Sequence, residues 1–201
     1  MQGLIKDIAE SFKVLNENYG MNVREFPSFS FGNIENCREI IKAAFLEIDK
    51  TITEFKFTPE LEELADWMTD TKGKGLFLTG SVGRGKTNVV TYVIPLIFFH
   101  FQRKVVKTVT AEELANRLPE LKSKKFIALD ELGVESLKNN FGEKYEPVNV
   151  LFNLAETESK ILFVSTNLDG SQVLERYGIR TLDRIKRLCR IIKFSGESLR
   201  K

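Results

Sequence analysis

Residues 80–87 read GSVGRGKT, and no other stretch narrows the possible folds of this chain so far. The octapeptide has the form G-x-x-x-x-G-K-[ST]. It follows a short apolar run, LFLT (76–79), and leads into a longer one, VVTYVIPLIFFHF (89–101). Strand, glycine turn and helix are the context in which this pattern binds phosphate. The glycines let the backbone wrap with its N–H groups inward, and the helix N-terminus adds the positive end of its dipole. On this reading Gly80, Ser81, Val82, Gly83, Arg84, Gly85, Lys86 and Thr87 cradle the phosphate chain of a nucleotide. Lys86 reaches the β- and γ-phosphates, and the Thr87 hydroxyl ligates Mg²⁺. The variable positions of the motif contribute mainly backbone, so the Arg84 side chain is expected to face solvent.

The flanking pattern supplies the rest of such a fold. KVVKTVT (104–110), FIALDE (126–131), ILFVSTN (161–167) and CRIIKF (189–194) read as strands. Helical segments separate them, one opened by a Thr110–Glu113 capping box, others at 148–156 and 180–188. Alternating strands and helices imply a parallel sheet covered on both faces, with function at the strand C-terminal ends. The 89–101 run is too short to span a bilayer and is expected to be a buried helix kinked near Pro95. Ahead of the sheet, helices are expected at 3–17, with Leu4, Ile5, Ile8, Phe12 and Leu15 near one face, and at 35–50, with Ile40, Ile41, Ala44, Phe45 and Ile48 inward. A third follows Thr58–Pro59, an N-cap and N1 pair. An apolar content of 42 % over 201 residues suits one packed domain with a small appendage.

Two acids close the FIALDE strand. Four apolar residues followed by adjacent carboxylates form a Walker B pattern, in which Asp130 helps hold Mg²⁺ and Glu131 polarises an attacking water as general base. Adjacent residues on a strand end point apart, so the pair can serve two tasks. ILFVSTN ends in polar residues, of which Asn167, with Thr166 as the alternative, is the candidate to sense the γ-phosphate or orient the water. DELG (130–133) also fits the D-x-x-G of GTPases, but the later strand is followed by NLDG (167–170), which lacks the lysine of a guanine-selecting N-K-x-D. A small-molecule kinase shares the loop but usually needs an arginine-rich lid, which the basic C-terminal stretch could mimic.

Charge is unevenly placed. Residues 171–201 hold nine Lys or Arg against three acids, +6, while the other 170 residues carry −4. A basic end of this kind suits a polyanion or an acidic subunit surface, or is a solvated helix face. Arg180, Arg184 and Arg187 share one helix face by spacing, with Ile179, Leu182 and Ile185 toward the core. An arginine stripe with nothing to neutralise it calls for an anion. Two distant cysteines and a single histidine cannot build a zinc site. The charge-alternating N-terminus is not a signal peptide, which points to a soluble, cytoplasmic protein that makes no use of a membrane.

The stretch ERYGIRTLDRIKRLCRIIKFSGESLR (175–200) then resembles the C-terminal end of DnaC-type replicative helicase loaders and the related IstB-type transposition ATPases. The shared features are Gly178, Arg180, Asp183–Arg184, the 189–194 strand and the Glu197-x-x-Arg200 end. With GSVGRGKT, FIALDE plus LGVE, and VSTNL, the resemblance spans about residues 75–201. It implies an α/β P-loop AAA+ domain over residues 71–201: a three-layer αβα sandwich with five parallel strands in the order 5-1-4-3-2. A helical extension over residues 1–70 would precede it, and no separate lid would follow. It further implies Mg·ATP hydrolysis, with Arg184 as an arginine finger given to a neighbouring subunit and hence self-association. Arg200 would be the sensor 2 arginine. Implied partners are single-stranded DNA and a replicative helicase, or a transposase in the IstB-type alternative. Lys138 and Lys144, in the loop at 132–145, are candidate DNA contacts. The rival from another class is an adaptor that binds nucleotide as a switch without hydrolysing it, for which Glu131 would be superfluous.

Overall fold

In the computed structural model, residues 2–20, 25–135, 138–140, 143–145 and 147–196 are described, with the backbone alone at 2, 138–140 and 143–145. In chain order the strands are β1 (Gly75–Gly80), β2 (Lys107–Thr110), β3 (Phe126–Leu132), β4 (Lys138–Asn140), β5 (Glu143–Tyr145), β6 (Ile161–Thr166) and β7 (Cys189–Phe194). The helices are α1 (Gln2–Tyr19), α2 (Ile34–Ile48), α3 (Pro59–Thr69), a short α4 (Lys86–Asn88), α5 (Ile94–Gln102), α6 (Leu114–Leu121), α7 (Pro147–Thr157) and α8 (Gly170–Leu188). Five strands form one parallel sheet in the order β2-β3-β6-β1-β7. Numbered as the five sheet strands, that is the expected 5-1-4-3-2. β4 and β5 make a separate antiparallel hairpin that strand periodicity did not announce.

Side chains alternate across the sheet, and both faces are covered. Leu76, Leu78, Ala128, Phe163, Ile192 and Phe194 meet α2, α3 and α5. Phe77, Ile127, Leu129, Leu162 and Val164 meet α6, α7 and α8. Two-sided burial explains why these strands read as continuous apolar runs rather than alternating ones. Each fully buried large side chain contributes about 1.5–3 kcal/mol.

The segment before β1 joins this core from Phe26 onward. Phe29 and Phe31, in the stretch PSFSF, each meet Phe98 edge to face with ring centroids 5.3 Å apart. Trp67 is buried among Phe98 and Phe163 and donates its indole N–H to the Lys74 carbonyl at 3.0 Å. In α1, by contrast, Leu4, Ile5, Ile8, Phe12 and Leu15 all lie exposed.

Three local expectations need correction. The irregularity near Pro95 is not a kink at the proline itself. A π-helical stretch, Val89–Val93, precedes Pro95 within one run of right-handed helical backbone, and the Ile94 N–H bonds five residues back to the Val89 carbonyl, a local widening of the helix just before a residue that has no N–H to give. β2 is shorter than the apolar run 104–110 and begins at Lys107. Helix α8 starts ten residues before the expected 180 and is broken at Gly178, whose backbone (φ 79°, ψ 168°) is not helical. That break resets the helical phase, so Ile179 is 65 % exposed rather than inward, while Ile185 is buried. The Thr110–Glu113 capping box forms, with reciprocal bonds of 3.3 Å.

Candidate active site

The loop after β1 is held from below. Gly80 has φ +121°, and a Cβ there would lie 2.0 Å from the Phe194 carbonyl oxygen. Ser81 donates its N–H to the same oxygen at 3.0 Å. Contact with β7, not phosphate access, therefore demands the first glycine. Gly85 is different: its φ is +87° and a Cβ there would meet nothing within 4 Å.

Lys86 begins α4 and is only 6 % exposed. Its ammonium donates to the carbonyl oxygens of Gly80 and Ser81, at 2.7 Å each. Burial pushes its pKa down, and the nearby Asp130 charge pushes it up. Two carbonyl dipoles accept two of its three hydrogens without neutralising its charge. A buried cation at a helix start, bonded to backbone carbonyls and not to a carboxylate, fits a phosphate chain. Thr87, half-buried, is the next residue along α4.

Arg84 contradicts the expectation of a solvent-facing side chain. Its side chain is 9 % exposed and is ion-paired with Glu60, 3 % exposed, in the first turn of α3. The α3 dipole favours an acid there, and the guanidinium turns inward to meet it, beside Gly196. The phosphate loop is thereby tied to the segment before the sheet. Removing one member of a buried pair leaves the other charge uncompensated, at a cost of about 3–5 kcal/mol. Arg84→Ala is thus expected to lower Tm by roughly 10 °C, whereas replacing both partners by Leu and Met should recover most of the loss. Thermal melts of the single and double variants check this.

On β3, Asp130 is buried and Glu131 exposed. The β3–β6 ladder pairs Leu129 with Val164 and resumes at Leu132 with Thr166, so Asp130 and Glu131 together oppose Ser165. Glu131 sits at φ +58°. This bulge is how the adjacent acids point apart while Leu132 stays in the core. The Ser165 hydroxyl donates to the Asp130 carboxylate and accepts the Glu131 N–H at 2.9 Å. Beyond it, the Thr166 hydroxyl is committed to the strand end, donating to the Leu132 carbonyl at 2.5 Å and accepting the Leu168 N–H at 3.0 Å. Asn167, the first residue past β6, is exposed. The pairing Leu78↔Ser165 sets Asn167 level with Gly80 by extension. The C-terminal ends of β1, β6 and β3 thus bring Lys86, Asp130, Glu131 and Asn167 to one edge.

The arginine stripe is not unneutralised. Arg184 bonds Glu156 at 2.9 Å and the Asn153 side-chain oxygen at 2.9 Å, and Arg187 meets the same Glu156 at 2.7 Å. Arg176 pairs with Glu135, which also accepts the Tyr177 hydroxyl. Arg190 pairs with Asp66 at 2.6 Å. Of the stripe, Arg180 is exposed and has no ion-pair partner among the described residues. Arg184 also sits far from the loop edge. α8 leaves that edge at Gly170 and descends to β7, whose first residue pairs with Gly75 at the opposite end of β1. Arg184 lies on the segment after the Gly178 break, five residues before β7 begins, and its partner Glu156 stands five residues before β6 begins. Arg200 lies outside the described residues, as do the side chains of Lys138 and Lys144.

No family model matches the sequence, and no curated protein matches it. Solved structures do. DnaI aligns with a TM-score of 0.57 at 20 % identity, over 81 % of this chain and 93 % of that one. The DnaC helicase loader aligns with a TM-score of 0.55 at 16 % identity, over 71 % and 94 %. The chain has their fold. AMPPCP-bound DnaA from Aquifex aeolicus aligns at a TM-score of 0.51 and 16 % identity, over 71 % of this chain and 49 % of that one.

Within this DnaI- and DnaC-like fold, the partners missed from sequence are Glu60, Glu156 and Ser165. Glu60 and Glu156 lie 24 and 28 residues from the arginines they hold, a separation that no helix or strand period encodes. Ser165 stood in view inside VSTNL, but its role follows from the bulge. Among the described residues no helix is long and apolar enough to cross a membrane.

Proposed function

We propose that the chain is a Mg·ATP-binding AAA+ ATPase of DNA replication that loads or remodels a replicative helicase on single-stranded DNA. One observation carries the nucleotide part: the buried Lys86 ammonium, bonded to two carbonyls of its own glycine loop, at the edge where Asp130 and Glu131 close β3. Likeness of fold to a helicase loader and to AMPPCP-bound DnaA supports the replication part. Lys86 and the loop N–H groups would bind the β- and γ-phosphates. Thr87 and Asp130 would hold Mg²⁺, which when bound neutralises charge on the transferring phosphate. Glu131 would accept the proton of the attacking water, and Asn167 would orient that water. Arg184 would act on the nucleotide of a neighbouring copy, and Arg200 on its own.

Lys86→Ala is the direct test of the loop. Loss of the ammonium should weaken ATP binding tenfold or more, on the order of 1.4 kcal/mol, with the fold intact. Unchanged affinity by calorimetry would sink the assignment. Phosphate release with and without single-stranded DNA separates an ATPase from a nucleotide-switch adaptor. Co-purification with a replicative helicase or with a transposase separates the loader from the transposition helper.

A further inference from the structure

Ser165 occupies the middle of the site without belonging to any motif that predicts it. It lies on β6, between β1, which leads into the glycine loop, and β3, which carries the two acids. It is 2 % exposed. Its one hydroxyl is used in both directions. The hydrogen goes to Asp130 Oδ1, and the oxygen receives the Glu131 N–H at 2.9 Å.

The second bond closes a gap in the sheet. On its other edge, β3 pairs regularly with β2: Thr110 stands opposite Asp130, and the Asp130 carbonyl accepts the Ala111 N–H at 2.9 Å. On the β6 side, the two-against-one bulge removes the ladder carbonyl that Glu131 would have used. An amide partly shielded from water and left without a partner is costly, and Glu131 is already in the left-handed region, which a side chain rarely adopts. The Ser165 oxygen replaces that carbonyl. The same atom group therefore sets the direction of one carboxylate and the backbone conformation that turns the other outward.

We infer that Ser165 is a positioning residue for the ATP chemistry. It fixes Asp130 through a charged hydrogen bond and holds the bulge that turns Glu131 outward at the strand end. Alanine keeps the strand and the burial but removes both bonds. A valine would fill the space without them, and threonine keeps the hydroxyl. This role rests on the function proposed above, so the test includes a measurement that needs no nucleotide.

In the nucleotide-free protein, amide exchange at Glu131 should be about tenfold or more faster in Ser165→Ala than in wild type, as expected for loss of a buried hydrogen bond. In the presence of Mg²⁺ and ATP, kcat of Ser165→Ala should fall about tenfold or more, while ATP affinity measured without Mg²⁺ stays at the wild-type value. Ser165→Thr should restore both exchange and kcat. If threonine does not fit and that variant fails to fold, the two measurements on Ser165→Ala decide alone. Either readout staying at the wild-type level in a folded Ser165→Ala protein overturns the role. Wild-type protein that fails to bind ATP overturns the function proposed above, and this role with it. Wild-type turnover beside an unaltered Ser165→Ala overturns this role only.

Discussion

Arg184→Ala is expected to lose ATPase activity by about 10³-fold while binding ATP as wild type does. An arginine finger stabilises charge that develops only in the transition state, so its loss spares ground-state binding. Position favours action between copies. Arg184 lies beyond the Gly178 break, on the part of α8 that leads into β7 at the opposite end of β1 from the glycine loop. The structure also shows what holds the side chain meanwhile: Glu156, shared with Arg187. Service to a neighbour therefore means leaving or sharing Glu156. A mixture gives the decisive measurement. Arg184→Ala keeps its loop but offers no finger, and Lys86→Ala offers a finger but holds no nucleotide. Each alone should be inactive, and under conditions that favour assembly the mixture should recover part of the activity. Normal turnover by Arg184→Ala alone refutes the finger. Inactive single variants whose co-assembled mixture is also inactive place Arg184 on its own nucleotide.

Glu131→Gln should bind ATP normally and turn it over about 10²-fold more slowly. The change removes the proton acceptor and leaves shape, bulge and backbone bonds in place. Its companion, Glu131→Gly, should be equally inactive but no less stable than wild type, because a side chain in the left-handed region costs on the order of 1 kcal/mol and glycine relieves it. Chemical denaturation and phosphate release on the two variants separate the chemical contribution of the carboxylate from the conformational strain of its backbone. Normal turnover by Glu131→Gln would mean that another group activates the water.

The parts of this molecule written in short-range pattern could be read in advance. LFLT, FIALDE and ILFVST are strands because two-sided burial demands unbroken apolar runs, and GSVGRGKT sits between β1 and α4 as its spacing requires. The strand order came through resemblance, since no local period encodes which strand neighbours which. Electrostatic pairing was the part least visible. Arg84 and Arg184 both seemed free because their partners are far along the chain, on α3 and α7. Burial of a charge is decided by what the fold brings opposite it. Gly178 misled in another way: one residue out of helical phase moved Ile179 from core to surface, a shift that a continuous helical wheel does not contain.

The chain's single tryptophan is a built-in optical reporter. Trp67 is 1 % exposed, walled by Phe98 and Phe163, and lies two turns along α3 from Glu60, the partner of Arg84. Its emission should be blue-shifted in the native state and shift to longer wavelength when α3 separates from the sheet. Loosening of the Arg84–Glu60 tie can thus be followed by intrinsic fluorescence, with no label attached and no nucleotide present.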